Sequence, residues 1–99
     1  MNYGFIGAGN MVSAIVKGMT IGGGGFQGKN IWITSKTVTS AKQLAEACSA
    51  QACQTAQEVI GHSDVVVLGV KPHILMEILP ALQAAFAEKK PLVVSIAAG

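Results

Sequence analysis

Short apolar runs alternate along this chain with segments whose apolar residues recur every three or four positions. The runs Tyr3–Ile6, Ile31–Thr34, 65–70 and 92–96, with a weaker one at 51–54, have the length and composition of strands. Between them, Met11, Ala14, Ile15, Gly18 and Met19 form one helical stripe, and Ala41, Leu44, Ala45 and Cys48 a second. Ile74, Leu75, Ile78, Leu79 and Leu82 form a third, and a short helix is predicted over 56–60. Pro72 suits the first turn of the third helix. Pro80 falls inside it and predicts a kink or a restart. The runs near residues 67 and 94 are almost uninterruptedly apolar, which predicts parallel strands covered by helices on both faces.

Strand alternating with helix five times gives one α/β domain over residues 1–99, a doubly wound parallel sheet. Right-handed crossovers predict the strand order 3-2-1-4-5, with its switch point between the first and fourth strands. A ligand then belongs at their carboxyl ends, against residues 7–11 and 69–72. The glycine-rich stretch IGGGGFQG (residues 21–28) tempts a phosphate-loop reading. It follows a helix and precedes a strand, the wrong order for aiming free N–H groups at an anion, and reads instead as a loose connection at the amino edge of the sheet.

The informative stretch is GFIGAGNMVSA, residues 4–14. Gly7-Ala8-Gly9 forms a tight turn between the first strand and a helix; Gly7 permits the turn and Gly9 lets a pyrophosphate reach the backbone. Asn10 is a good helix cap, with the amides of Met11 and Val12 pointing at the phosphates. At the first strand-to-helix turn of an α/β chain, this is the dinucleotide fingerprint of a Rossmann-like sheet. Its third position is Val12 rather than glycine or alanine, which predicts a helix pushed slightly off the strand.

The second strand ends in ITSKT, residues 33–37. An NAD site carries an acid there to hold the ribose hydroxyls, but the next acid in this chain is Glu46. Thr34, Ser35, Lys36 and Thr37 instead suit a ribose 2′-phosphate, each charge-assisted bond contributing about 1.5–3 kcal/mol. The cofactor expected is NADP (NADPH), with NAD less favoured. At the opposite wall, in LGVKPHI (residues 68–74), Gly69 allows close packing and Lys71 stands at a strand end, as either a ligand contact or a solvated lysine.

About half the residues (51%) are hydrophobic and 12% are charged, enough for a sizeable core. No strictly apolar run approaches the roughly 20 residues that span a bilayer, and residues 2–6 already read as structure rather than as a leader, so the expected setting is cytoplasmic, with no membrane partner. The net charge of +2 comes from scattered lysines without arginine, which disfavours nucleic acid. Cys48 and Cys53 have neither metal-ligand nor redox-motif spacing and read as buried small hydrophobes; no metal is expected. His62 and His73 lack a partner carboxylate or nucleophile, so no catalytic residue is assigned. Asp64 reads as structural, and Met11 and Met19 as core side chains.

GFIGAGNM near the start, VKP after the fourth strand and VVSIAAG at the fifth together resemble the amino-terminal domain of pyrroline-5-carboxylate reductase, over essentially all 99 residues. The resemblance implies an NAD(P)H-dependent enzyme of proline biosynthesis that reduces 1-pyrroline-5-carboxylate, a small imino acid, to L-proline. It implies that Ile6, Gly7, Ala8, Gly9, Asn10 and Met11 bind the pyrophosphate and adjoining ribose, and that Ser35 and its neighbours take the 2′-phosphate. Val70, Lys71 and Pro72 would line the nicotinamide ribose, and Ala97 would approach the nicotinamide. It further implies a helical substrate and dimerisation domain after the fifth strand, absent from these residues, through which the full-length enzyme forms a homo-oligomer; the chain alone would be inactive. A non-catalytic nucleotide-sensing module, or a different NAD(P)-dependent imine or keto-acid reductase, remains open.

Overall fold

The computed structural model describes residues 1–22 and 25–96. Strands β1 (Tyr3–Ile6), β2 (Ile31–Thr34), β3 (Gln51–Ala52), β4 (Val65–Leu68) and β5 (Leu92–Ser95) alternate with helices α1 (Asn10–Thr20), α2 (Val38–Cys48), α3 (Ala56–His62) and α4 (Pro72–Lys89). All pairings are parallel and the order is β3-β2-β1-β4-β5, as the crossover rule predicts.

Side chains alternate across the strands and feed two cores. Phe5, Ile31 and Ile33 meet Val12, Val16, Ala41, Leu44, Ala45 and Cys48 under α1 and α2. Ile6, Val66 and Leu68 meet Cys53, Val59, Ile60 and Leu82 under α3 and α4. Each fully buried Val, Leu, Ile or Phe contributes about 1.5–3 kcal/mol. The sheet is therefore held by burial on two faces, leaving its carboxyl ends free to form a site.

Several expectations need correction. The buried stripe of α1 is Val12 and Val16, flanked by Ile15 and Met19, while Met11, Ala14 and Gly18 are exposed. Both stripes satisfy three-to-four spacing and share Ile15 and Met19; the pair of valines wins because it buries more apolar surface. The fourth strand ends at Leu68, two residues early, because Gly69 turns the chain, and the third is only two residues long. Helix α4 neither ends nor restarts at Pro80. Pro80 is exposed, and Leu75, Ile78, Leu82, Ala85 and Phe86 bury the opposite face on both sides of it. Strand β5 is not covered: Leu92, Val93 and Val94 are 65%, 43% and 40% exposed at the sheet edge, because no helix among the described residues packs over them.

The described ends of the glycine-rich connection are both tied to α1. Gly22 N–H donates to the Lys17 carbonyl at 2.8 Å and Phe26 N–H to that of Met19 at 3.0 Å. Phe26 also packs edge-on against Tyr3, with ring centroids 5.2 Å apart. This confirms its place at the amino edge, although Gly23 and Gly24 lie outside the described residues. Asp64 is structural there too: it accepts from Asn2 N–H at 2.8 Å and pairs with Lys89 at 4.0 Å.

Candidate functional site

The backbone past β1 sets the geometry. Gly7 N–H donates to the Thr34 carbonyl and Gly69 N–H to the Ile6 carbonyl, both at 2.8 Å, so the ladder bonds outlast the strands and fix three chain ends together. Gly7 has φ +108°, and a Cβ there would lie 2.6 Å from the Gly69 carbonyl oxygen; the turn demands glycine. A Cβ on Gly9 would meet no atom within 4 Å, so the space above it is open to a ligand.

Helix α1 starts one residue earlier than a cap at Asn10 predicts. Gly9 is the N-cap residue, Asn10 is the first helical residue, and no side chain caps the helix. Ser13 N–H, donating to the Gly9 carbonyl at 2.9 Å, is the first amide satisfied inside the helix. The amides of Asn10, Met11 and Val12 therefore have no intrahelical acceptor, and they sit at the positive end of the helix dipole. Such a terminus binds an anion with main-chain groups alone.

Two clefts flank this turn. One, of about 200 Å³, is lined by Gly9, Asn10, Met11, Val12, Gly69, Val70, Lys71 and Ile96. The other, of about 170 Å³, is lined by Ile6, Gly7, Thr34, Ser35, Lys36, Gln54, Ala56, Val70, Ile74 and Ile78. Val70 is common to both, so together they run across the carboxyl ends of β2, β1 and β4.

Of the residues singled out from sequence, the clefts gather Ile6, Gly7, Gly9, Asn10, Met11, Thr34, Ser35, Lys36, Val70 and Lys71. Met11 is 56% exposed and lines the first cleft, which corrects its reading as a core side chain; Met19 packs partly buried against the core. Ala8 lies on the other side of the turn, in a groove between α1 and α2 beside Ser13, Lys17 and Ser40. Thr37 is the N-cap residue of α2, its hydroxyl 2.8 Å from that of Ser40, and Pro72 occupies the first turn of α4; neither lines a cleft. Lys71 is exposed and caps α4 from the cleft side. Ala97 lies outside the described residues.

The hydroxyls of the second strand end are not equivalent. Ser35 Oγ accepts from Ala41 N–H at 3.0 Å and donates to the Thr37 carbonyl, so it shapes the loop as well as facing the cleft. Thr34 is 5% exposed. Lys36 is exposed and, among the described residues, has no carboxylate within ion-pair distance, so its charge is available to an anion.

Gln54, Ala56, Ile74, Ile78 and Ile96 line the clefts without having been singled out from the sequence as cleft residues. A usable signal existed for the first two. The Thr55 hydroxyl accepts from Glu58 N–H at 3.2 Å and donates to the Glu58 carboxylate at 3.3 Å, an N-cap in a T-x-x-E sequence that fixes where α3 starts and so where Gln54 and Ala56 sit.

Other chemistry-bearing side chains lie apart from the clefts or are inert. His62 stacks on Trp32 with ring centroids 5.2 Å apart, away from both clefts, and His73 is exposed. Cys48 and Cys53 are buried free thiols. Burial, then the nearby Glu58 carboxylate, pushes the Cys53 thiol above its usual range, so it stays protonated and unreactive. Among the described residues no group of three or more His, Cys, Asp or Glu could hold a metal, and no helix is long and apolar enough to cross a membrane.

A doubly wound sheet with a glycine turn, unpaired helix amides and a crevice at the switch point defines a dinucleotide-binding domain. By sequence the chain belongs to the family described as NADP oxidoreductase coenzyme F420-dependent, which it matches over residues 2–99. It is 36% identical to pyrroline-5-carboxylate reductase of Escherichia coli (strain K12) over 96 residues, covering 97% of this chain and 35% of that protein. Against the enzyme of the same name from Vibrio alginolyticus the identity is 38% over 95 residues, covering 96% and 34%. The structure of a pyrroline-5-carboxylate reductase from Coxiella burnetii superposes with a TM-score of 0.85 at 34% identity, covering 99% of this chain and 36% of that one. A Plasmodium falciparum pyrroline carboxylate reductase solved with NADP bound gives 0.73 at 25% identity, covering 98% and 33%. The chain thus spans about a third of the length of the curated relatives it matches.

Proposed function

We propose that this chain is the NADPH-binding domain of a pyrroline-5-carboxylate reductase. The observation that carries the reading is the pairing of an anion-ready turn at Gly7–Gly9 with an acid-free second strand end holding Thr34, Ser35 and Lys36 in one crevice. The family description and the NADP-bound Plasmodium relative support the choice of nucleotide.

In this reading the amides of Asn10, Met11 and Val12 hold the pyrophosphate, and Gly9 leaves it room. Lys36 and Ser35 receive the 2′-phosphate, while Ile6, Ala56, Ile74 and Ile78 offer an apolar wall to the adenine. Val70 and Lys71 border the nicotinamide ribose. The bound cofactor supplies the hydride for reducing a cyclic imine, and the protein orients it. Among the described residues none stands in the clefts as a convincing proton donor to an imine nitrogen. That group and the imino-acid pocket belong to a helical domain that follows in the whole enzyme and joins its subunits, in the cytoplasm.

Calorimetric titration of the chain with NADPH and NADH tests the proposal. We expect a preference for NADPH and no turnover of 1-pyrroline-5-carboxylate. Lys36→Glu should weaken NADPH by about tenfold or more, corresponding to one lost charge-assisted contact, and leave NADH within about twofold. A preference for NADH in the unaltered chain would overturn it.

A further inference from the structure

We propose that Val12 and Gly69 are a matched positioning pair that sets the height of the phosphate-binding amides above the sheet, a role that rests on the cofactor reading above. In the dinucleotide fingerprint the third small residue sits on the helix, where it lets helix and strand approach. Here that position holds Val12, only 1% exposed, and the missing volume is supplied from the opposite side by Gly69 at the end of β4. The fit is close: a Cβ built on Gly69 would overlap Val12 Cγ2, while its next neighbour, Ile96 Cδ1, would be 3.6 Å away.

Neither side can yield cheaply. Valine in a helix has one strongly preferred χ1, so Val12 cannot swing its methyl aside. Gly69 is held by its N–H bond to the Ile6 carbonyl at 2.8 Å, and its own carbonyl lies against the turn at Gly7. What remains free to move is the first turn of α1, which has no side-chain cap. That turn carries the three amides left without helical acceptors. Added bulk at residue 69 therefore lifts the amides away from the pyrophosphate, and removing bulk at residue 12 lets them return. The two positions share the floor of one cleft, so the effect reaches a ligand directly.

The test is a four-protein cycle on this chain: unaltered, Gly69→Ala, Val12→Ala and the double variant. Each is titrated with NADPH, followed by 31P spectra of bound pyrophosphate and urea unfolding. Gly69→Ala should weaken NADPH by about tenfold and shift the pyrophosphate resonances, and the double variant should recover both to within about threefold of the unaltered chain. A role confined to packing would change the unfolding midpoint but not the resonances of the folded, bound protein. The proposal is overturned if Gly69→Ala binds as the unaltered chain does, or if the double variant binds no better than Gly69→Ala. Should Gly69→Ala fail to fold, recovery of fold and binding in the double variant supports the pair and failure of both overturns it. If the unaltered chain binds no NADPH, the cofactor reading fails and with it the amide-positioning role; non-additive unfolding midpoints would then show a packing pair only.

Discussion

Gly7 and Gly9 are two residues apart yet answer to different demands. Gly7 is buried with positive φ and faces the Gly69 carbonyl, so any side chain there strains the fold itself. Gly9 has ordinary φ of −76° and nothing within 4 Å of a built Cβ, so its lack of a side chain serves whatever enters the cleft. We expect Gly7→Ala to lose about 1–3 kcal/mol of stability. Gly9→Ala should stay within about 1 kcal/mol of the unaltered chain, the ordinary difference at a helix cap, while NADPH affinity drops sharply. Urea midpoints beside calorimetric titrations check both; equal stability losses would contradict the division. The turn was legible in the sequence because strand, glycines and helix follow one another within a few residues. The partnership of Val12 with Gly69 was not, since it joins positions on different elements and depends on where a methyl group points.

At the scale of elements, strand positions and helix positions follow from hydrophobic spacing wherever burial is one-sided or complete. The phase of α1 did not, because alanine and glycine counted as apolar at Ala14 and Gly18 although they have little surface to bury. Strand β5 reads as covered from its composition, yet composition records only that a side chain prefers cover, not whether this chain provides it. Pro80 shows packing overriding a local rule: it removes one helical N–H, leaving the Met76 carbonyl without that donor, but burial on both flanks keeps α4 whole. Pro80→Ala should therefore raise stability by about 1–3 kcal/mol, read from the thermal or urea midpoint. A fall in stability would mean that the proline fits a bend which the packing requires.

For the molecule as a whole, the two edges of the sheet differ. The β3 edge is two residues long, whereas β5 offers Leu92, Val93 and Val94 to solvent beyond its pairing with β4. An exposed apolar edge strand recruits further strands unless charge or cover prevents it. We expect the 99-residue chain to self-associate with rising concentration and Val93→Lys to reduce this, as sedimentation velocity would show; a chain that stays monomeric at millimolar concentration speaks against it. A different consequence follows from the central place of β1. Tyr3–Ile6 finds one partner at Ile31–Thr34 and the other at Val65–Leu68. During translation Tyr3–Ile6 thus waits for its second partner until Leu68 has emerged, after β2 has already met both of its own. The nucleotide turn that follows it acquires its shape only after residue 69 has emerged, in one event rather than strand by strand.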